Sequence, residues 1–170
     1  MSNTIAINKV KNYAMDDLKR HADKQAIDNE FIQNNGFFPD ISVLDVRNTM
    51  RLDGTVTNER LKMELIEAMA TVNHALKNYQ KRIKEKGIDS LDDIDEEQIN
   101  GESIVINRYK RAVYCLTIAN LNERYRSYDT TKQGAEKAQE FEESVDDLRR
   151  DARFAIRDIL GQHRMTVELI

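Results

Sequence analysis

The sequence predicts an all-α fold, an antiparallel bundle of three long helices and one short helix, with extended N- and C-terminal arms. Two observations support this prediction. The 170 residues include only one proline and six glycines, the residue types that most often interrupt helices. Apolar residues also recur at steps of three and four along several charged stretches, which is the helical period. We expect an N-terminal arm (1–36), a helical bundle domain (37–161) and a C-terminal tail (162–170).

The short helix and the first long helix both begin at a capping residue. Ser42 is followed three residues later by Asp45, a pattern typical of a helix start, and Gly54 is expected to end this short helix. Thr57 then begins a helix predicted over 58–86, which has one apolar stripe on an otherwise charged surface. The stripe consists of Leu61, Leu65, Ala68, Val72, Leu76, Tyr79 and Ile83.

The connection over 88–102 is strongly acidic and contains no basic residue. Its acids are Asp89, Asp92, Asp93, Asp95, Glu96, Glu97 and Glu102. A third helix is predicted from Ser103 to Ser127, and its middle, 112–119, is apolar on nearly every side. That composition is typical of a helix buried on several sides.

A fourth helix is predicted over 135–160, with acids in its first half and arginines in its second half, which complements the helix dipole. Gly161 ends this helix, and the tail over 162–170 then alternates like a short strand. A lone strand cannot pair its own backbone groups, and the predicted bundle offers no sheet, so we expect the tail to join a partner by strand addition. The side chains expected at that interface are Met165, Val167 and Leu169.

Motifs for catalysis or metal binding do not occur in the sequence. The histidines, His21, His74 and His163, lie far apart and lack the spacing of metal ligands. No phosphate-binding loop or nucleophile elbow is present. Cys115 lies in the apolar middle of the third helix, where burial suppresses thiol reactivity. We therefore expect no enzyme activity, no metal and no cofactor.

Composition restricts the compartment and the partners. With 26 basic and 30 acidic residues the formal net charge is −4, so the chain as a whole lacks the excess of Lys and Arg that binds phosphate. We expect no membrane partner, because no apolar run is long enough to span a bilayer and the first residues lack a signal peptide's apolar stretch. The lone cysteine excludes an internal disulfide and fits a reducing cytoplasm.

Four segments, in order, resemble one known family. They are Phe37–Ile41, MRLDGTVTNERL (50–61), INGESIVINRYKRAVYCLTIANLNERYR (99–126) and VDDLRRDARFAIRDILG (145–161). Over about 37–161 the chain resembles the head completion proteins (the L-protein family) of temperate, contractile-tailed phages and related prophages. Leu148 and Phe154 stand where tryptophan is expected in that family, and residues 1–36 have no counterpart in it.

This resemblance implies a structural virion protein at the head–tail junction, made in the host bacterial cytoplasm. Proteins of this kind bind the portal vertex of the DNA-filled head, help retain the DNA and form the adaptor ring that the tail joins. The implied partners are the portal protein, neighbouring copies in a ring of twelve, a tail completion or neck protein, and double-stranded DNA that passes through without sequence-specific binding. In the first matching segment, we expect Phe37, Phe38 and Ile41 to contact a partner.

Opposite charges suggest how copies in such a ring would meet, because ring contacts join two different surfaces of one subunit. The candidates are the bases Lys81 and Arg82 and the acids Asp92, Asp93, Glu96 and Glu97, unless these groups meet within one subunit. Two alternatives stay open. A DNA-binding packaging factor of terminase small-subunit type needs a helix-turn-helix and a basic face, and a small helical regulatory or catalytic protein needs a convergent polar pocket.

Overall fold

Two long helices packed side by side form the centre of the subunit. The computed structural model describes residues 30–52, 54, 56–126 and 132–163, and it describes the burial of side chains up to Arg124 and again from Val145. The described part is mostly helical, as predicted. In chain order the elements are β1 (Phe31–Ile32), β2 (Ile41–Ser42), α1 (Val43–Thr49), α2 (Asn58–Ala75), α3 (Lys77–Lys84), a 3₁₀ turn (Leu91–Asp93), β3 (Gln98–Ile99), β4 (Glu102–Ser103), α4 (Ile104–Arg126) and α5 (Lys132–Ile159).

The central helices α4 and α5 are antiparallel. Arg111 in α4 pairs with Asp151 in α5 at 2.9 Å, whereas Glu123, later in α4, pairs with Arg149, earlier in α5, at 2.6 Å. The middle of α4 is buried on several sides, which confirms the reading of its apolar run. Its most deeply buried residues include Tyr109, Ala112, Val113, Thr117 and Ala119.

Helix α2 packs along another side of α4 and is also antiparallel to it. Near the start of α2, the Glu64 carboxylate pairs with Arg124 at the end of α4, at 3.0 Å. Near the end of α2, Asn73 accepts a hydrogen bond of 2.7 Å from the Tyr109 hydroxyl. Because of this orientation, α3 and the acidic connection that follows it lie at the N-terminal end of α4.

The predicted caps at Ser42 and Thr57 are confirmed, but the predicted end of α1 is wrong. The hydroxyl oxygens of Ser42 and Thr57 accept hydrogen bonds from the backbone three residues later. Helix α1 ends at Thr49 with Met50 as its C-cap, not at Gly54, because the next residue, Arg51, adopts the left-handed conformation with φ 53°. The backbone amide of Leu52 donates to the Arg47 carbonyl at 2.9 Å, which completes a Schellman motif around a residue that is not glycine.

The helix predicted over 58–86 is divided at Leu76, where φ is −94° and ψ is 5°. The backbone bonds from Leu76 to Val72 and from Gln80 to Leu76 still span the break. No glycine or proline marks the position, so the periodic stripe alone could not locate it. The described part thus contains five helices, and the predicted set of three long helices and one short helix is not confirmed.

Two small antiparallel sheets correct the all-helical prediction and the statement that the bundle offers no sheet. In the first sheet β1 pairs with β2, with Ile32 opposite Ile41. In the second, β3 pairs with β4 around Asn100 and Gly101, which both have positive φ, as a two-residue type I′ hairpin turn requires.

The last residues of the predicted N-terminal arm belong to the folded subunit, since β1 lies within 30–36. They lead into Phe38, whose ring stacks on Tyr109 with the centroids 4.9 Å apart. The backbone carbonyl of the neighbouring Phe37 accepts a hydrogen bond of 2.8 Å from Leu91 in the acidic connection. The rest of the arm, 1–29, lies outside the described residues.

Candidate interaction surfaces

The predicted interface residues of the first matching segment lie in the core. Phe37, Phe38 and Ile41 expose 3% of their surface or less. They pack beneath α4 and the acidic connection, so they do not form an exposed apolar patch to which a partner binds directly. The other predicted interface residues, Met165, Val167 and Leu169, lie outside the described residues, and their contact with a partner stays a prediction.

The predicted basic candidates lie on α3 in a larger exposed group, here called the basic surface. It consists of Lys77, Lys81, Arg82, Lys84 and Lys86. Lys81 lies 4.0 Å from Glu85, the C-cap residue of α3, and both side chains are largely exposed. Such a pair contributes only about 0.3–0.5 kcal/mol. The Arg82 guanidinium lies 5.9 Å from the ring centre of Tyr79, and Lys84 lies 5.8 Å from that of Phe37.

The acidic candidates follow directly in the chain and are also exposed; we call them the acidic segment. It consists of Asp89, Asp92, Asp93, Asp95, Glu96 and Glu97. Ser90 caps the 3₁₀ turn by accepting from the Asp92 backbone amide, and Leu91 is fully buried. Leu91, together with the half-buried Ile94, therefore holds the segment against the core while its carboxylates face solvent.

The basic surface and the acidic segment lie close together in the fold. Burial raises the pKa of Tyr79 on α3, and the charge of Glu96 raises it further, so Glu96 lies within electrostatic range of this helix. Nevertheless, among the described residues no ion pair joins the basic surface to the acidic segment. Each surface keeps charge that is available to another molecule.

The hairpin β3–β4 adjoins the acidic segment and was missed from the sequence. The Ile104 backbone amide donates to the Glu97 carbonyl at 2.9 Å and so continues the ladder into the first turn of α4. Ile99, on β3, is 53% exposed although it is a large apolar residue. The Asn100-Gly101 dipeptide is the strongest short-range hairpin signal and could have revealed this element.

A groove lies at the other end of the subunit, between α2, α4 and α5. It has a volume of about 500 Å³, and half of the residues that line it are charged. Glu64 is almost fully buried in its wall and is held by Arg124, while Glu123 is held by Arg149. Because these charges pair with each other, the groove does not present a strongly basic or strongly acidic site.

The described residues show no arrangement typical of a catalytic or metal centre. Nowhere in the described part do three or more His, Cys, Asp or Glu side chains cluster so that they could hold a metal ion. Cys115 is buried, and burial raises the pKa of its thiol, an effect that the nearby Arg111 offsets in part. Within the described ranges, none of the helices combines the length and the apolarity needed to cross a membrane.

Comparison with known proteins identifies similar sequences over most of the chain. The family model described as phage head completion protein (GPL) matches residues 32–170. A head completion/stabilization protein of Escherichia phage P2 is 38% identical over 143 residues, which is 84% of this chain and 85% of that protein. A probable head completion/stabilization protein of Haemophilus phage HP1 (strain HP1c1) is 27% identical over 148 residues, 86% of this chain and 96% of that protein. No solved structure matches.

Proposed function

Because this chain belongs to the family of phage head completion proteins, we propose that it completes the DNA-filled head by binding the portal vertex. Copies form an adaptor ring there, twelve in number, that helps retain the DNA and receives the tail through a tail completion or neck protein. The DNA passes through the ring without sequence-specific binding. The coarser role, a structural component of the phage virion, follows from the family itself.

The observation that supports a ring is that, among the described residues, no ion pair joins the basic surface to the acidic segment. Both lie at the N-terminal end of α4, and both are exposed. A ring needs a heterologous contact, in which two different surfaces of one subunit meet on adjacent copies. Because the two surfaces lie at the same end of the subunit, the basic surface of one copy can face the acidic segment of the next at the same level of the ring. Complementary charge of this kind favours the correct register and speeds association.

The net charge of −4 fits a channel protein through which DNA slides, because like charge disfavours adhesion to phosphate. The alternatives of a DNA-binding packaging factor and of a small helical regulatory protein receive no support from a specific feature of the described residues. We therefore propose the head–tail junction of the virion as the location of this protein.

Two charge-reversal variants test the ring contact. The first variant reverses the acidic segment with Asp92→Lys, Asp93→Lys, Glu96→Lys and Glu97→Lys. The second reverses the basic surface with Lys77→Glu, Lys81→Glu, Arg82→Glu and Lys86→Glu, and it retains Lys84, which lies beside Phe37. Assembly on the portal of the same phage is measured by electron microscopy, and circular dichroism checks that both variants are folded.

Each variant alone is expected to assemble poorly, because its two surfaces then have the same sign and repel those of its neighbours. An equal mixture of the two is expected to assemble again, since alternating copies restore opposite charges at every contact. Pairing within a subunit predicts no rescue by mixing. If each variant alone assembles like the wild type at low and moderate salt, the proposed contact is wrong.

A further inference from the structure

One face of α2 carries two large apolar side chains that nothing in the described part of the chain covers. Met63 and Ile66 lie one turn apart, and each is 56% exposed. Met63 also lines the rim of the groove between α2, α4 and α5. Paired apolar residues at this spacing are the usual anchors by which a helix surface receives another segment.

The preceding part of the chain enters the fold beside this face. The Glu30 carboxylate forms an ion pair with Lys62, the residue before Met63 and one turn before Ile66. The Glu30 carbonyl also accepts a hydrogen bond of 3.0 Å from the backbone of Val43. Side chain and backbone together hold the point at which residues 1–29 join the described part.

The sequence that precedes Glu30 contains a pattern suited to an apolar face. Met15, Leu18 and Ala22 recur at steps of three and four. Fifteen residues would span about 22 Å as a helix, whereas Met63 and Ile66 are only about 5 Å apart along the axis of α2. A segment of that length is therefore long enough to cover both side chains. Residues 15–29 contain both bases and acids, so their charge gives no reason to place them on this face. The reason is that they join the fold at Glu30, which lies beside it. They also precede the region matched by the family model, which begins at residue 32.

We propose that residues 15–29 of the same chain pack across Met63 and Ile66 and cover this face of α2. Glu30 and Lys62 fix one end of the contact, and the stripe of Met15, Leu18 and Ala22 supplies its apolar side. The contact forms within one subunit and does not depend on the portal. An experiment that disproves this contact therefore leaves the proposed head function untouched, and the reverse also holds.

Methionine oxidation tests this contact in the full chain. Oxidation of a methionine depends on its exposure, and the helix that carries Met63 also contains the buried Met69 as an internal control. Leu18→Asp is expected to detach the segment and to raise the rate of sulfoxide formation at Met63 and Met15 by about threefold or more. Asn12→Asp makes the same charge change outside the segment and is expected to leave both rates as in the wild type. Peptide mass spectrometry after timed exposure to peroxide provides the rates.

Equal rates at Met63 in the wild type and in Leu18→Asp would show that this segment does not cover the face. A wild-type rate that rises on dilution would assign the cover to another copy and would also overturn the proposal.

If Met69 also oxidises faster in Leu18→Asp, the variant is unfolding, and a second measurement then tests the contact. Ile66→Asp is then expected to speed amide hydrogen exchange over residues 15–29, whereas Asn78→Asp on α3 is expected to leave it unchanged. Equal exchange in the two variants contradicts the contact.

Discussion

The side-chain amide of Asn34 donates a hydrogen bond of 2.8 Å to the hydroxyl of Tyr109, a residue 75 positions later in the chain. The hydroxyl in turn donates to Asn73 at 2.7 Å, and the Asn73 amide donates back to the Asn34 carbonyl oxygen at 2.8 Å. This closed ring of three hydrogen bonds connects the segment after β1, helix α2 and helix α4. Because each buried polar group has a partner, the ring orders three distant parts of the chain without a large desolvation cost.

Tyr109→Phe is expected to lower the free energy of unfolding by about 1–3 kcal/mol, because it leaves the half-buried Asn34 and Asn73 incompletely hydrogen-bonded. Urea unfolding followed by circular dichroism measures this change. The matched control is Tyr79→Phe, since the Tyr79 hydroxyl makes no hydrogen bond among the described contacts, and it is expected to cost about 0.5 kcal/mol or less. Equal losses in the two variants would show that the hydrogen-bond ring does not stabilise the fold.

Stability is expected to fall at alkaline pH because tyrosines are buried, most strongly through Tyr109 and Tyr114. Burial raises the pKa of Tyr109 and of Tyr114 above the ordinary value, and the charges of Asp45 and Glu102 raise that of Tyr114 further. Above about pH 10 the unfolded chain loses these protons while the folded chain keeps them, so the unfolded state gains stability. Each tyrosine contributes a slope of up to about −1.4 kcal/mol per pH unit. Urea unfolding between about pH 9 and 11 should show this loss, and Tyr114→Phe should reduce it.

Arg51→Gly is expected to stabilise the protein by about 0.5–1 kcal/mol, because glycine adopts the left-handed conformation of this C-cap without a steric penalty. The control is Gly54→Ala. Gly54 does not have a positive φ, and an added Cβ would meet nothing within 4 Å, so this change is expected to be neutral or slightly stabilising. Thermal unfolding measures both. A destabilising Arg51→Gly would mean that the arginine side chain itself supports α1.

Removal of the tail after Gly161 is expected to leave a folded subunit that no longer binds the portal well. Helix α5 ends before the cut, and Gly161, with φ 67°, completes its own C-cap through a bond of 2.9 Å from Gln162 to the Arg157 carbonyl. A truncation after Gln162 retains that bond and should unfold like the full chain. Binding to the portal is measured by co-sedimentation. Unchanged affinity in the truncated protein would show that the tail is not the anchor.

Local chemistry in the sequence predicted the helix starts well. The hydroxyls of Ser42 and Thr57 cap helices because each bonds a backbone amide three residues away, an interaction that needs no other part of the chain. Gly161 ends α5 for an equally local reason. The Asn100-Gly101 turn is equally local, but the helical period that predicts a helix from Ser103 does not reveal the short strands on either side of this turn.

The sequence by itself determined the helical character, the family resemblance and the identity of the charged residues, because periodicity, capping and composition act over a few positions. Only the tertiary structure decided which of those residues meet. Leu76 divides a continuous apolar stripe, and Phe37 and Phe38, expected at an interface, are buried beneath α4. The antiparallel packing of α2 and α4 also places the basic surface and the acidic segment at one end of the subunit. Such contacts join residues far apart in the chain, and short-range patterns in a sequence do not specify them.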